Sequence, residues 1–127
     1  MADLIWITQP LQEVSAGTPR QSIDSAIDVS GYDELFIQTY CCGVSIPSTR
    51  SVNIELITGM QNQTEDGWIQ VFTNTITALT PGAAGGSFSN LVSPGTFLRY
   101  IRWNVPVGSG LPITFWMAGV ARRYADQ

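Results

Sequence analysis

The chain lacks histidine and lysine. Its six positive charges are all arginine, set against ten acidic residues for a net charge of −4. Without histidine, the commonest general base and the commonest metal ligand are both missing. An acidic chain without a basic patch is repelled by phosphate backbones, which argues against nucleic-acid binding. Charged residues make up only 13% of the chain and hydrophobic residues 44%, a balance that suits a folded domain and excludes disorder. No apolar run approaches the roughly 20 residues a membrane helix needs.

Other absences narrow the chemistry. The two cysteines are adjacent, Cys41-Cys42. Neighbours on a strand point to opposite faces, and a disulfide between them would close a small strained ring, so two reduced thiols are expected. Zinc and redox roles lack the spacing and the partner ligands. Met1-Ala2-Asp3-Leu4 has no basic region and opens no cleavable apolar stretch, which reads as no signal peptide and synthesis in a cytoplasm. There is no nucleophile–base pair, no Gly-x-Ser-x-Gly elbow and no phosphate-cradling loop. Paired glycosidase carboxylates are compatible with the count, but loops this short leave little room for a deep cleft. The expectation is a protein that is not an enzyme and holds no cofactor or metal. Asp24, Asp28, Asp33, Glu34, Glu65 and Asp66 are carboxylates that could meet calcium, yet none follows EF-hand spacing. Asn62-Gln63-Thr64 is a formal glycosylation sequon, read as a polar turn.

What the chain does have is β rhythm. Gly, Pro, Ser, Thr and Asn recur at short intervals between runs rich in Ile, Val, Thr and aromatics. Expected strands are Leu4–Ile7, stopped near Pro10; Ser22–Val29; Leu35–Cys41; the alternating Val52, Ile54, Leu56; Trp68–Phe72; Thr75–Leu79; Phe97–Val105; and Ile113–Arg122, apolar on both faces. Residues 80 to 96 form the longest interruption, and Pro106 to Pro112 a turn. The expected core is Ile27, Val29, Leu35, Ile37, Ile54, Leu56, Trp68, Tyr100, Phe115 and Met117. With 127 residues, the organisation expected is one domain, 1–127, with 1–10 as a short N-terminal arm or edge strand. Periodicity alone leaves a sandwich and a barrel nearly tied.

Two segments carry a family resemblance. Leu56 to Trp68 reads as a strand, a polar turn ending in Asp66-Gly67, and a second strand opening on an aromatic; Leu98-Arg99-Tyr100-Ile101-Arg102-Trp103 interleaves apolar residues and arginines. Together they resemble discoidin domains and related galactose-binding-like jelly rolls, although here the Trp directly follows the Gly. The resemblance covers roughly residues 22–122 and implies an all-β, two-sheet antiparallel β-sandwich. It also implies loop tips that bind glycans or lipid headgroups. Against that, Gly82-Ala83-Ala84-Gly85-Gly86 is poor in aromatic and charged residues. The stretch Ala26 to Leu35, followed by a strand and the Asp-Gly hairpin, resembles small β-domains of bacteriophage structural proteins.

Several residues have two readings. Trp68 and Trp103 could stack on a sugar ring, but both sit inside strands, which favours the core. Arg99 and Arg102 have opposite parity and cannot form one clamp without a bulge; Glu55 is a plausible partner for either. Arg122-Arg123 ends either in solvent or in a salt bridge across a subunit contact.

The functional expectation is a structural virion protein, a capsid decoration (cement) protein assembled in the host cytoplasm. It would act through self-association and by docking on a capsid or tail protein. Trp6, Phe88, Phe97, Arg122, Arg123 and Tyr124 are the candidate interface anchors, being at strand ends, in the long loop or near a terminus. The alternative is a carbohydrate-binding module or a small tail or baseplate component contacting host glycans.

Overall fold

The computed structural model describes residues 4–7, 12–14, 20–42, 51–77, 87–105 and 113–123. Its strands are β1 (Leu4–Ile7), β2 (Gln12–Val14), β3 (Ile27–Asp28), β4 (Glu34–Cys42), β5 (Ser51–Gly59), β6 (Ile69–Thr77), β7 (Ser87–Val92), β8 (Tyr100–Asn104) and β9 (Ile113–Arg122). They form two antiparallel sheets packed as a sandwich, the all-β class expected from the pattern and the sandwich implied by the family resemblance. One sheet runs β1-β9-β4-β7, with β2 also pairing with β9; the other runs β3-β8-β5-β6.

The core follows from period-2 alternation. On β4, Leu35, Ile37 and Thr39 are buried while Phe36 and Gln38 face out. On β9, Phe115, Met117 and Ala121 are buried and Trp116, Ala118 and Val120 are half-exposed. The facing sheet contributes Ile54, Leu56, Ile101 and Trp103, and the Trp103 ring meets Phe115 edge-on at 5.2 Å. Burying one such side chain contributes about 1.5–3 kcal/mol. Of the expected core, Val29, Leu35, Ile37, Ile54, Leu56, Tyr100, Phe115 and Met117 are buried, and Ile27 packs against the core while partly exposed.

Trp68 is a correction. It precedes β6 and lies on the outer side of the four-stranded sheet, half-exposed. A Cβ at Gly59 would stand 2.8 Å from its ring, so only glycine lets the indole lie this close to the strand. The strand expected over Ser22–Val29 is another correction. Ser22 Oγ accepts from the Asp24 amide and Ala26 N–H donates to the Ile23 carbonyl, closing a 3-10 turn, Ile23–Ser25, before the two-residue β3.

Four further strands depart from the pattern, the first being β2, which pairs with β9 where no strand was expected. β7 lies inside the expected interruption, because alternating Ser and Asn conceal a strand whose mate is β4. β6 is one continuous strand where two pieces were expected. It is held in register along β5 except for a bulge: Leu56 pairs with Phe72 and Ile57 with Gln70, leaving Val71 extra. β8 begins at Tyr100 and not at Phe97, because the Thr96 amide and hydroxyl both return to the Ser93 carbonyl in a turn through Gly95, whose φ is 81°. The loop 82–86 and the turn 106–112 fall outside the described residues.

Candidate functional site

The two outer faces of the sandwich differ in kind. On the four-stranded sheet, all of β8 is buried, so Tyr100, Arg102 and Asn104 are covered from outside as Ile101 and Trp103 are covered from within. The covering comes from residues 20–28, running antiparallel along the β8 edge, and from the turn between β5 and β6. Arg20 bridges Asn104, Gln21 N–H donates to the Trp103 carbonyl, and Ile27 pairs with Ile101.

Arg102 is the centre of this face. Its Nε and Nη2 donate to the Gln21 carbonyl at 2.8 and 2.6 Å. Its Nη1 and Nη2 donate to Glu65 Oε1 and Oε2 at 2.9 and 3.0 Å, the two-pronged geometry that suits guanidinium and carboxylate. The guanidinium lies 4.7 Å from the centre of the Trp68 ring, and Trp68 Nε1 donates to the Thr64 carbonyl at 2.9 Å. Arg20 joins through Nη1 to the same Glu65 Oε1 at 3.0 Å and through Nε to Asn104 Oδ1. Asn104 passes the network to Glu55, which also accepts from Thr73; Thr75 donates to Asn53 beside it. The pairing foreseen between Glu55 and Arg99 or Arg102 is not made. Arg102 takes Glu65, and Arg99 pairs with Asp28 at 3.2 Å. The loop and the edge segment bring these partners in from 37 and 71 residues away, which strand parity does not show.

These pairs shape the acid response. The Glu65 carboxyl is held below its ordinary value of 4.5, first by the hydrogen bond from Arg102 and then by Arg20. That of Asp28 is held below 3.8, first by the Ser30 side chain and amide and then by Arg99. Because the folded values are depressed, the unfolded chain takes up protons first as pH falls. The stabilisation is therefore present above the unfolded values and lost as pH drops through the folded ones. The urea midpoint should stay level from about pH 7 to about pH 5 and decline below roughly pH 4.5, and Glu65→Gln should shrink that decline.

The outer face of the five-stranded sheet has the opposite character. Register places Leu91, Phe36 and Val120 in one cross-strand row, and Ser89, Gln38 and Ala118 in the next. Phe36 is 42% exposed and Leu91 57%. Tyr40 and Trp116, half-exposed, stack at 5.8 Å with 26° between their planes. Charge enters at both ends of the face: at one, Glu13 stands opposite Thr114 in register, and at the other Glu34 pairs in register with Arg122, whose guanidinium lies 5.4 Å from the Phe36 ring centre. β1 extends this sheet, with Ile5 opposite Val120 and Trp6 opposite Gly119.

The six expected anchors are distributed as follows. Arg122 belongs to this face. Arg123 lies nearby, over the Tyr32 ring and donating to the Gly31 carbonyl. Phe88 and Phe97 are partly buried and pack against the core. Trp6 is placed by its backbone alone, and Tyr124 lies outside the described residues. Phe36, Leu91, Tyr40 and Trp116 were not singled out as anchors. For Phe36, Tyr40 and Trp116 the signal is the even-numbered apolar set of β4 and β9, which the alternation shows once the odd set is assigned to the core; Leu91 lies on β7, where no strand was expected.

No family model matches the sequence, and no curated protein does. The fold is similar to that of the K3 cleaved adhesin domain of Lys-gingipain from Porphyromonas gingivalis w83, with a TM-score of 0.52 and 11% identity over 76% of this chain and 60% of that one. It is also similar to VP2 of infectious bursal disease virus, as found in a subviral particle, with a TM-score of 0.61 and 11% identity over 98% of this chain. The chain spans 33% of that VP2 chain. At such identities the likeness is one of fold, that of a two-sheet antiparallel β-sandwich.

Proposed function

We propose that this chain is a non-enzymatic structural component of a virus particle, and that it docks through the outer face of its five-stranded sheet. The observation that carries this reading is the contrast between the two faces. On the four-stranded sheet the polar groups are bonded to one another. On the other face, Leu91, Phe36, Val120, Ala118, Tyr40 and Trp116 form a largely uncharged, aromatic-bearing surface. Apolar surfaces of this kind, with an arginine at the rim, are the usual makings of a protein interface. The fold likeness to a capsid protein over nearly the whole chain agrees with it. Our finer reading is a bacteriophage capsid decoration protein that meets copies of itself and a capsid or tail protein, with residues 1–10 as a docking arm.

The test is co-sedimentation with particles lacking the native protein. The parent should sediment with them, and removing residues 1–7, which include Ile5 in the row of Val120 and Phe36, should weaken binding while the sandwich stays folded. A parent that never co-sediments with any particle ends the virion reading.

A second reading, glycan binding by an adhesin-like or galactose-binding-like module, rests on the half-exposed Tyr40–Trp116 stack, which offers a sugar ring a flat partner. A glycan array on the isolated protein decides it: binding lost in Trp116→Ala supports this reading, and a blank array removes it.

A further inference from the structure

The turn between β5 and β6 sets one carboxylate against two guanidiniums. Arg20 Nη1 and Arg102 Nη1 both reach Glu65 Oε1, at 3.0 and 2.9 Å, while Arg102 Nη2 holds Oε2 at 3.0 Å. The Arg102 side chain is 1% exposed, and the Glu65 side chain that neutralises it is 57% exposed. Arg102 is fixed from behind by two bonds to the Gln21 carbonyl and roofed by Trp68. Arg20 is fixed by Asn104 Oδ1. Both guanidiniums are therefore held in place by groups other than Glu65. The residues around Glu65 in the turn, 61–63 and 66–67, are exposed.

We propose that Arg20 and Arg102 form a carboxylate-binding site, and that Glu65 is its resident ligand, exchangeable for the carboxylate of another molecule. A buried cation cannot be left unpaired without a large penalty, so Glu65 leaves only when another carboxylate enters. The planar fork of Arg102, with Arg20 bonded to the same oxygen, selects a carboxylate over a spherical anion such as chloride. The depressed titration of Glu65 agrees, since the site holds the charged form. This site lies on the four-stranded sheet, away from the docking face, and is independent of the proposed function.

The test is thermal unfolding of Glu65→Ala at pH 7, in sodium acetate against sodium chloride at equal ionic strength. In chloride the variant should melt roughly 5 °C or more below the parent. Acetate should restore most of that shift in a saturable titration and leave the parent, whose site is filled, unmoved. The double variant Glu65→Ala/Arg102→Met, with both charges removed, should gain nothing from acetate. If acetate and chloride act alike on Glu65→Ala, or if the double variant is raised as much, the site is not a carboxylate receptor. Should Glu65→Ala not fold, Glu65→Ser carries the same titration. A blocked glutamate-containing peptide, run beside acetate, separates the two sources of the group. Rescue by both assigns the site to side chains of other chains as well as to free acids, and rescue by acetate alone restricts it to small free acids.

Discussion

Arg102→Ala should lower the stability of the domain by about 3–5 kcal/mol, read as a fall in the urea midpoint with little change in slope. The side chain makes four hydrogen bonds, two to the Gln21 carbonyl and two to Glu65, and its guanidinium supports the Trp68 ring. Truncation leaves the buried Gln21 carbonyl without these donors and opens a void beneath the indole. It also leaves the β5–β6 turn held to this side only through Arg20, and the segment at residues 20–25 only through Arg20 and the Gln21–Trp103 bonds. Domains of this size have about 5–15 kcal/mol in all, so the loss is a large share. Arg99→Ala is the control. Its ion pair with Asp28 is exposed at both ends, and removing it should change the midpoint little. An Arg102→Ala midpoint equal to that of Arg99→Ala would show that the network does not organise this side of the fold.

Phe36→Asp should reduce binding to the particle by two orders of magnitude or more, while the domain melts close to the parent. Phe36 stands at the centre of the row Leu91–Phe36–Val120, and its ring lies under the Arg122 guanidinium. Aromatic residues at the centre of an interface are worth about 2–4 kcal/mol on truncation, and a buried unpaired charge adds to that loss. Because the residue is half-exposed in the free chain, the substitution removes little from the core, and Arg122 is within reach of the new carboxylate. Co-sedimentation and a melting curve on the same preparation measure the two effects. A variant that binds as the parent does excludes this face as the docking surface, and a variant that fails to fold calls for Leu91→Asp, on the neighbouring strand, in its place.

Much of the scaffold is written locally. The odd-numbered apolar residues of β4, the even-numbered ones of β5, and both faces of β9 announce their strands, because a side-chain period of two is a property of the extended backbone and of nothing more distant. The Asp66-Gly67 turn is equally local, with Gly67 at a φ of 83°. The same rule misleads at Ser22–Val29, where Ile and Asp alternate but the Ser22 hydroxyl diverts the backbone into a 3-10 turn. It passes over β7, whose serines and asparagine show little apolar period and whose pairing comes from β4, some fifty residues away.

Composition and order along the chain by themselves determined the all-β class, the absence of histidine chemistry and the burial of Phe115, Met117 and Leu35, while the choice of a sandwich over a barrel rested on the family resemblance. Only the tertiary structure decided the partners of the arginines and the side on which Trp68 lies. It alone set the contrast between a hydrogen-bonded face and an apolar one. Periodicity tells which way a side chain points. Which charge meets Arg102, and whether an outward face stays bare, depends on segments distant in sequence folding onto the sheet. Those long-range contacts form because a buried guanidinium must find its acceptors wherever the chain can bring them.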